Sequence, residues 1–212
     1  MSEQDWRETL LATGSDAPFY LSDRQLKTHG ELAAEVARVR ALLADHKIGP
    51  DVAVTIVGDF SFLSVAALLA LLMNGNIVIP NTVKSLKSNL AEINALKPAF
   101  EVDATGAGLA FKAFADATDG PLENVIPKDA PGLVVFTSGT SGRPKAIVHN
   151  VLFLLEKFST RQPRSARAIP LLLFDHMGGF NTLMSILLGR GSIVFSEDRG
   201  IDAVLAQIEK FN

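Results

Sequence analysis

The sequence of 212 residues contains no cysteine, one tyrosine and one tryptophan. Without cysteine the chain forms no disulfide bond, binds no metal ion through thiolates and has no thiol nucleophile. The formal net charge of −3 provides no basic surface for a nucleic-acid backbone. Proteins that bind DNA or RNA through phosphates need such a surface, so nucleic acid is not an expected partner.

Long apolar runs are also missing. The longest, residues 60–73, is shorter than the about 20 residues that a membrane-spanning helix requires, so we predict a buried core helix and no membrane span. The first five residues are polar and acidic and do not resemble an export signal. We therefore expect a cytoplasmic protein.

Segments with helical periodicity alternate along the chain with short apolar runs. The helical segments are residues 29–45, 61–73, 84–96, 151–158, 181–188 and 202–211, and the apolar runs are residues 52–57, 77–79, 99–102, 133–136, 146–148, 169–174 and 192–195. This alternation predicts an α/β fold with largely parallel sheets flanked by helices. Residues 105–129, rich in Ala, Gly, Asp and Pro, are interpreted as a connector between two lobes, about 1–104 and 130–212, with a short strand at 109–111.

A loop rich in hydroxyl groups and glycine connects two of the apolar runs and ends in lysine. Its residues are Thr137, Ser138, Gly139, Thr140, Ser141, Gly142, Arg143, Pro144 and Lys145. The two glycines allow tight or left-handed backbone conformations, so that successive N–H groups can converge on an anion. The hydroxyl groups add donors, and Lys145 adds a mobile positive charge. We predict a loop that binds the phosphates of a nucleotide triphosphate.

The phosphate loop of Walker NTPases has a different pattern. It requires Gly, four residues and then Gly-Lys-Ser/Thr, and it opens directly into a helix. Here Arg143 and Pro144 separate Gly142 from Lys145, and neither Ser nor Thr follows the lysine. The sequence therefore disfavours a Walker NTPase. A hairpin loop rich in Gly and Ser that binds no ligand is the structural alternative.

Residues 137–145 resemble the phosphate loop of the AMP-forming adenylating superfamily, which includes acyl- and aryl-CoA synthetases, adenylation domains of nonribosomal peptide synthetases, and luciferases. The family pattern is Thr-Ser-Gly-Thr-Thr/Ser-Gly-x-Pro-Lys-Gly, and the chain departs from it at Ala146. Weaker likenesses precede the loop at residues 26–32, where we expect a helix to open, and at 49–57 and 74–80. The resemblance implies that residues 1–212 form the first part of the large N-terminal domain of an adenylate-forming enzyme.

A second segment, residues 169–179, resembles the family's buried strand that ends in an aromatic residue, a histidine and a glycine. The resemblance implies that His176, Gly178, Gly179 and Phe180 border the acyl or aryl pocket. Asp175, which precedes the histidine, would make the pocket wall more polar. The alternative is that His176 only caps a helix or bonds a backbone carbonyl.

The resemblance also implies the chemistry. An ATP- and Mg²⁺-dependent ligase of this family activates a carboxylic acid as an acyl-adenylate and passes the acyl group to CoA or to the phosphopantetheine arm of a carrier protein. The loop residues would bind ATP, Lys145 would be the catalytic residue, and no protein ligand to a metal is predicted. Three arginines, Arg161, Arg164 and Arg167, either contact a CoA phosphate or form a solvated loop.

Later motifs of the family are missing from these residues. Its Tyr-Gly-x-Thr-Glu motif cannot be present, because the single tyrosine is Tyr20, and neither the Thr-Gly-Asp motif nor the C-terminal lid with its lysine occurs. We therefore expect a poor catalyst on its own. The chain is an N-terminal fragment of a ligase, a non-catalytic nucleotide-binding or regulatory module, or one subunit of a split ligase with a complementing C-terminal half. Self-association to a homo-oligomer, through surface that such a half would cover, is a further expectation.

Overall fold

The computed structural model describes residues 6–8, 15–115, 121–122, 125–138, 144–159 and 165–211. The strands are β1 (Pro18–Leu21), β2 (Leu26–Thr28), β3 (Ala53–Val57), β4 (Ile77–Asn81), β5 (Phe100–Asp103), β6 (Ala110–Ala113), β7 (Gly132–Ser138), β8 (Pro144–Asn150), β9 (Arg167–Ala168) and β10 (Ser192–Val194). The helices that follow β2 are α1 (His29–Asp45), α2 (Phe62–Met73), α3 (Val83–Ser88), α4 (Leu90–Ala95), α5 (Val151–Ser159), α6 (Met177–Leu188) and α7 (Ile201–Phe211).

The larger sheet has six strands in the order β6–β5–β3–β4–β7–β8. Its four central strands are parallel, whereas β6 and β8 run antiparallel to their neighbours at the two edges. The carboxyl ends of β3, β4, β5 and β7 therefore meet at the same end of the sheet. In open α/β sheets this is the end at which ligands bind.

The smaller sheet combines strands from distant parts of the sequence, in the order β2–β1–β10–β9. Strand β10 is parallel to both β1 and β9, and β2 is antiparallel to β1. Because β1 lies near the beginning of the chain and β10 near the end of the described part, this sheet forms only when the two regions come together.

Helix α2 lies at the centre of the core. Every residue from Ser64 to Met73 is buried, and Ser61 caps the helix by accepting a hydrogen bond from the Ser64 N–H group at 3.1 Å. The main core cluster contains α2 together with residues of both sheets, such as Phe19 from β1 and Val54 from β3. A helix that is buried on all sides must be apolar on all sides, which explains the apolar run at 60–73.

The predicted α/β class is confirmed, since central parallel strands are packed against helices. Helix α1 coincides with the predicted segment 29–45, and α2 with the predicted segment 61–73. The predicted helix 84–96 is divided at Asn89, which ends α3 and precedes α4. No helix in the described part of the chain is long and apolar enough to cross a membrane.

Two predictions of local structure are wrong. Residues 169–174 do not form a strand, because β9 ends at Ala168 and Pro170 has no N–H group to continue the ladder. Residues 26–28 form β2 instead of the start of a helix. Thr28 then caps α1, with the Thr28 hydroxyl accepting from the Glu31 N–H group at 3.1 Å and the Glu31 carboxylate accepting from the Thr28 N–H group at 2.8 Å.

The two sheets do not correspond to the two predicted lobes, about 1–104 and 130–212. Each sheet contains strands from both segments, since β4 pairs with β7 and β1 pairs with β10. The short strand expected at 109–111 is present as β6. The sheets therefore do not divide at the connector, and the lobe boundaries stay a prediction.

A buried amide network attaches the end of α2 to the larger sheet. The Asn76 side chain donates to the backbone carbonyls of Gly49 at 2.8 Å and Val52 at 3.2 Å. The Asn74 side-chain amide donates to Asn76 Oδ1 at 3.0 Å, and the Gly132 N–H group donates to the Asn76 carbonyl at 3.0 Å. The network thus fixes the beginnings of β3, β4 and β7 relative to one another.

The buried His29 predicts a loss of stability in mild acid. Its Nε2 atom lies 2.9 Å from the Gly191 carbonyl, and burial lowers the pKa of the imidazole below its ordinary value of 6.5. The unfolded chain therefore binds a proton more readily than the folded chain. The stability that His29 contributes is complete above pH 6.5 and is lost as the pH falls from 6.5 toward the lower folded-state pKa.

We expect His29→Gln to reduce the fall in unfolding free energy between pH 7.5 and pH 5, measured by urea denaturation, because glutamine keeps an N–H donor but takes up no proton. Burial also lowers the pKa of His149, so some pH dependence will remain. His46→Gln, at an exposed position, is the matched control. An equally steep pH dependence in wild type and His29→Gln would contradict this account.

Candidate functional site

Strands β7 and β8 form an antiparallel hairpin whose tip carries the predicted phosphate loop. The register pairs Thr137 with Lys145 and Ser138 with Pro144. The sequence prediction of a loop between two strands is therefore confirmed. Gly139, Thr140, Ser141 and Gly142 lie outside the described residues, and Ser138 is described only as the last residue of β7.

One face of the hairpin is packed and the other opens to solvent toward the tip. Val134, Phe136 and Val148 pack in the second core cluster with Ile93 of α4. On the opposite face Leu133 pairs with His149 at the buried end, Val135 pairs with Ile147 in the middle, and Thr137 pairs with Lys145 at the exposed tip. This exposed end is the part of the hairpin that a ligand can reach.

Thr137 and Lys145 lie on the same face because residues directly opposite each other in an antiparallel pair share a face. Both side chains are exposed, and the Thr137 hydroxyl lies 3.5 Å from the Lys145 carbonyl. A hydroxyl donor and an ammonium group thus flank the two ends of the loop. The hairpin leaves the sheet at the carboxyl end of β7, where the parallel strands terminate. This donor set fits a polyphosphate.

The second predicted site lies on the turn before α6. His176 occupies the N-cap position of this helix, but its side chain makes no capping hydrogen bond. The imidazole is half-exposed, and its Nδ1 atom lies 3.9 Å from Asp175 Oδ1. The alternative that His176 is retained for side-chain capping is therefore not supported, and the imidazole is accessible to a ligand.

The contacts that a Cβ atom would make differ between Gly178 and Gly179. A Cβ atom at Gly179 would lie 2.1 Å from the Leu173 carbonyl oxygen, so glycine is required where the turn crosses the helix. At Gly178 a Cβ atom would lie 2.2 Å from Leu172 Cδ1, the end of an exposed side chain that is able to move. Phe180, also expected at the pocket wall, is 2% exposed and packs in the main core.

Asp175 is the residue of this turn whose surroundings are most unusual for its chemistry. Its side chain is 5% exposed, and among the described residues its Oδ1 atom has no hydrogen-bond partner. Burying a carboxylate oxygen without a partner is costly, which is why such groups cluster at functional sites. The sequence signal was the acidic residue directly before His176, which indicated only a more polar wall.

The structure brings Thr137 together with Lys145, and Asp175 with His176, but it does not join these two pairs. No hydrogen bond or ion pair between described residues connects them. The helices that follow each pair are in contact, since Lys157 of α5 donates to Asn181 of α6. Candidate site residues thus fall into a phosphate-loop group on the larger sheet and a turn group beside the smaller one.

Two further predicted features can be placed only in part. Arg161 and Arg164 lie outside the described residues, whereas Arg167 donates to the Phe211 carbonyl at the end of α7. Arg167 is exposed, as the solvated alternative expects, and also contacts a helix end; its contact with a CoA phosphate stays a prediction. Within the described residues, no group of three or more His, Asp or Glu side chains is arranged to hold a metal ion.

Comparison with known sequences finds nonribosomal peptide synthetases. Nonribosomal peptide synthetase apmB from Penicillium brevicompactum is 29% identical in an alignment 138 residues long that covers 58% of this chain and 6% of the relative. Bacitracin synthase 2 from Bacillus licheniformis is 26% identical in an alignment 209 residues long that covers 89% of this chain and 8% of the relative. The chain thus spans a small part of these curated relatives. No protein-family model matches the chain.

Comparison with solved structures finds the same fold in adenylate-forming proteins. The Klebsiella oxytoca NpsA N-terminal subdomain in complex with 3-hydroxyanthranilyl-AMSN gives a TM-score of 0.75 at 16% identity, covering 98% of this chain and 57% of that one. PA1221, a nonribosomal peptide synthetase protein containing adenylation and PCP domains, gives a TM-score of 0.75 at 16% identity. The match covers 99% of this chain and 39% of that one.

A third structure, O-succinylbenzoate Coenzyme A Synthetase from Bacillus subtilis in complex with ATP and magnesium ion, gives a TM-score of 0.67 at 15% identity. The match covers 97% of this chain and 60% of that one. Sequence relatives and structural neighbours therefore agree, and the resemblance of this chain to the N-terminal portion of the AMP-forming adenylating superfamily is confirmed.

Proposed function

We propose that this chain is the N-terminal part of an ATP-dependent, AMP-forming ligase that activates a carboxylic acid as an acyl-adenylate and passes it to a thiol. The observation that carries the proposal is the β7–β8 hairpin. It sets Thr137 and Lys145 opposite each other on an exposed face, at the carboxyl end of a parallel sheet, on both sides of a loop with the family's sequence. The chain spans only part of its relatives, so the acid, the thiol and the turnover all belong to this proposal.

The reaction poses an electrostatic problem that the hairpin is suited to reduce. A carboxylate oxygen attacks the α-phosphorus of ATP, and the bond from that phosphorus to the bridging oxygen breaks as pyrophosphate leaves with the electron pair. Both reactants are anionic, so positive groups must offset their repulsion. Lys145, the Thr137 hydroxyl and the loop donors would hold the phosphates. Mg²⁺, when bound, supplies further charge neutralisation and usually keeps few protein ligands.

For the second step, a carrier-bound phosphopantetheine thiol is the acceptor that we favour. The thiol sulfur attacks the acyl carbon, and AMP leaves. Support comes from the sequence relatives, which are nonribosomal peptide synthetases, and from PA1221, which contains a PCP domain. CoA is the second candidate, supported by the likeness to O-succinylbenzoate Coenzyme A Synthetase.

The acid is proposed to contact the turn that carries Asp175 and His176. A buried carboxylate oxygen without a described partner favours an acid that carries an ammonium group or another strong hydrogen-bond donor. The half-exposed imidazole of His176 would line the same wall. This assignment supports amino acids or amino-substituted aryl acids over fatty acids.

We expect Lys145→Ala to weaken MgATP binding to the 212-residue chain by about 10-fold to 100-fold, the effect of losing one charge-assisted hydrogen bond. Isothermal titration calorimetry measures the affinity. Lys112→Ala is the matched control, because Lys112 is also an exposed strand lysine but lies on β6, at the opposite edge of the same sheet.

Equal affinity of wild type and Lys145→Ala for MgATP would remove the lysine from the proposed site and favour a module without nucleotide chemistry. Equal weakening by Lys112→Ala would indicate a general loss of positive charge. Binding that depends on Lys145, with pyrophosphate release only after a C-terminal half is added, would favour a split ligase.

We expect Asp175→Asn to stabilise the chain by about 1 kcal/mol in the absence of substrate, because an amide is cheaper to bury than a carboxylate whose Oδ1 atom accepts no hydrogen bond among the described residues. Urea denaturation measures the change, and Asp16→Asn, at an exposed position near the N-terminus, is the control. In the native protein that carries this sequence, the same variant is expected to raise the KM for the acid in pyrophosphate-exchange assays. A destabilised Asp175→Asn chain would indicate that the carboxylate is structural.

A further inference from the structure

A groove lies between helix α7 and the turn that joins β1 to β2, and its volume is about 710 Å³. Small-molecule sites in proteins occupy about 300–1,000 Å³, so the groove has the size of such a site. Residues 106–107 and the first turn of α2 also line it. The described residues that line the groove include neither Lys145 nor Asp175, so the groove belongs to neither group of candidate site residues.

Helix α7 leaves this groove open because the side that faces it is small and polar. Ala203 and Ala206 line the groove together with Gln207, whereas Leu205 and Ile208 are exposed on the opposite side of the helix. An amphipathic helix usually packs its apolar side against the protein and fills the space there. Alanine side chains are too short to fill the space in front of α7, so a cavity remains.

Gln207 carries an acceptor in this groove that has no described donor. The residue is 5% exposed, and its Nε2 atom donates at 3.0 Å to Asp23 Oδ2, on the turn at the other wall. This bond identifies which end of the amide is oxygen, because the reverse orientation would bring two acceptors together. The Oε1 atom is buried and accepts no hydrogen bond among the described residues. A buried acceptor without a donor is costly, so a ligand that brings a donor is favoured.

Two cations that line the groove are already neutralised by carboxylates of their own region. Lys27 Nζ lies 2.7 Å from Glu31 Oε1, and Arg38 donates to Glu35 at 2.6 Å. Both pairs are formed within one or two turns of α1 and its cap, so they need no ligand. An anionic ligand would therefore have to compete with these carboxylates.

The carboxylates near α7 are more available to a ligand. Arg24 and Glu197 lie 3.6 Å apart, and their side chains are 81% and 75% exposed. An exposed pair of this kind contributes little stability, so Glu197 can exchange Arg24 for another cation. Asp198 accepts from the Gly200 N–H group at 2.8 Å and forms no ion pair with a described residue. The groove thus offers carboxylates to a cation.

Three aromatic rings form an apolar wall of the groove. Tyr20 stacks with Phe195 at a centroid distance of 5.8 Å and meets the edge of Phe62 at 5.9 Å. Lys27 Nζ lies 5.9 Å from the centroid of the Phe62 ring, so this wall already accommodates an ammonium group. Aromatic rings beside carboxylates are a combination that favours organic cations.

The electrostatic surroundings of Tyr20 agree with this preference. Burial raises the pKa of its phenol above the ordinary value of 10.0, and a hydrogen bond with the Phe62 backbone acts in the opposite direction. The charges of Glu197 and Asp59 raise this pKa further. The same charges that disfavour a phenolate favour a cation beside the ring.

We propose that this groove binds a small organic cation, with a primary ammonium or guanidinium group on an apolar body. The cationic group donates to Gln207 Oε1 and pairs with Glu197 or Asp198. Its apolar body lies against the rings of Tyr20 and Phe195. This inference rests on the groove alone and does not depend on the proposed function.

The test uses the 212-residue chain and phenethylamine, a primary amine on an aromatic body. Because Tyr20 is the only tyrosine of the sequence, incorporation of fluorotyrosine places a single fluorine reporter on the groove wall. Titration followed by fluorine NMR then measures the affinity at this groove, independently of binding elsewhere on the chain.

Two further probes share the aromatic body of phenethylamine and differ in charge. Phenethyl alcohol is neutral, and hydrocinnamate is anionic. We expect phenethylamine to bind about 10-fold more tightly than phenethyl alcohol, because its hydrogen bonds are charge-assisted. Hydrocinnamate is expected to leave the fluorine signal unchanged.

The matched variants are Asp198→Asn and Asp202→Asn. Both remove one negative charge, but Asp202 is exposed on α7 and does not line the groove. We expect Asp198→Asn to weaken phenethylamine binding and Asp202→Asn to leave it unchanged. Gln207→Leu keeps the approximate size of the side chain without its oxygen, and we expect it to weaken binding about 10-fold. Circular dichroism checks that the variants fold.

Three results would overturn the proposal. The first is equal affinity for phenethylamine and phenethyl alcohol, or no fluorine shift with either, since the groove would then not select a cation. The second is an equal loss of affinity in Asp198→Asn and Asp202→Asn, which would indicate attraction by the overall charge. The third is phenethylamine binding that a folded Gln207→Leu chain retains in full.

Discussion

The fold depends on the burial of α2 between the two sheets. Because all residues from Ser64 to Met73 are buried, this helix cannot be stable until both sheets are in place around it. One of those sheets requires β1 from the beginning of the chain and β10 from near its described end. The apolar run in the middle of the sequence therefore requires distant segments to fold together.

The two candidate site groups differ in how firmly the sheets around α2 hold them. The phosphate-loop hairpin includes β7, which is paired on both sides and whose start is fixed by the Asn76 carbonyl. The turn with Asp175 and His176 instead follows β9, a two-residue strand at the sheet edge. A rigid scaffold suits the phosphate-binding role proposed for the loop, because its donors would have to keep fixed distances to phosphate oxygens.

Local sequence signals predicted the parts of the fold that depend on local chemistry. The helical periodicity at 29–45 and the apolar run of α2 were sufficient for their helices, and the loop composition was sufficient for the hairpin. Strand β1 was missed because its stability comes from pairing with β10, which no local pattern reveals. The strand expected at 169–174 failed for the opposite reason. Its composition favours a strand, but β9 ends at Ala168, and Pro170 has no N–H group with which to continue the pairing.

The predictions for the site divide in the same way, because the proposed phosphate loop is local and a substrate pocket is not. Residues 137–145 are contiguous, so their spacing alone was enough to predict a phosphate-binding role for the hairpin tip. A pocket for a small ligand encloses about 70–90% of its surface, which requires walls from several elements. In the proposed function, the turn at Asp175 and His176 would supply one wall. An acid held against it would need further walls from other elements, so the identity of the acid depends on residues whose positions are set by tertiary packing.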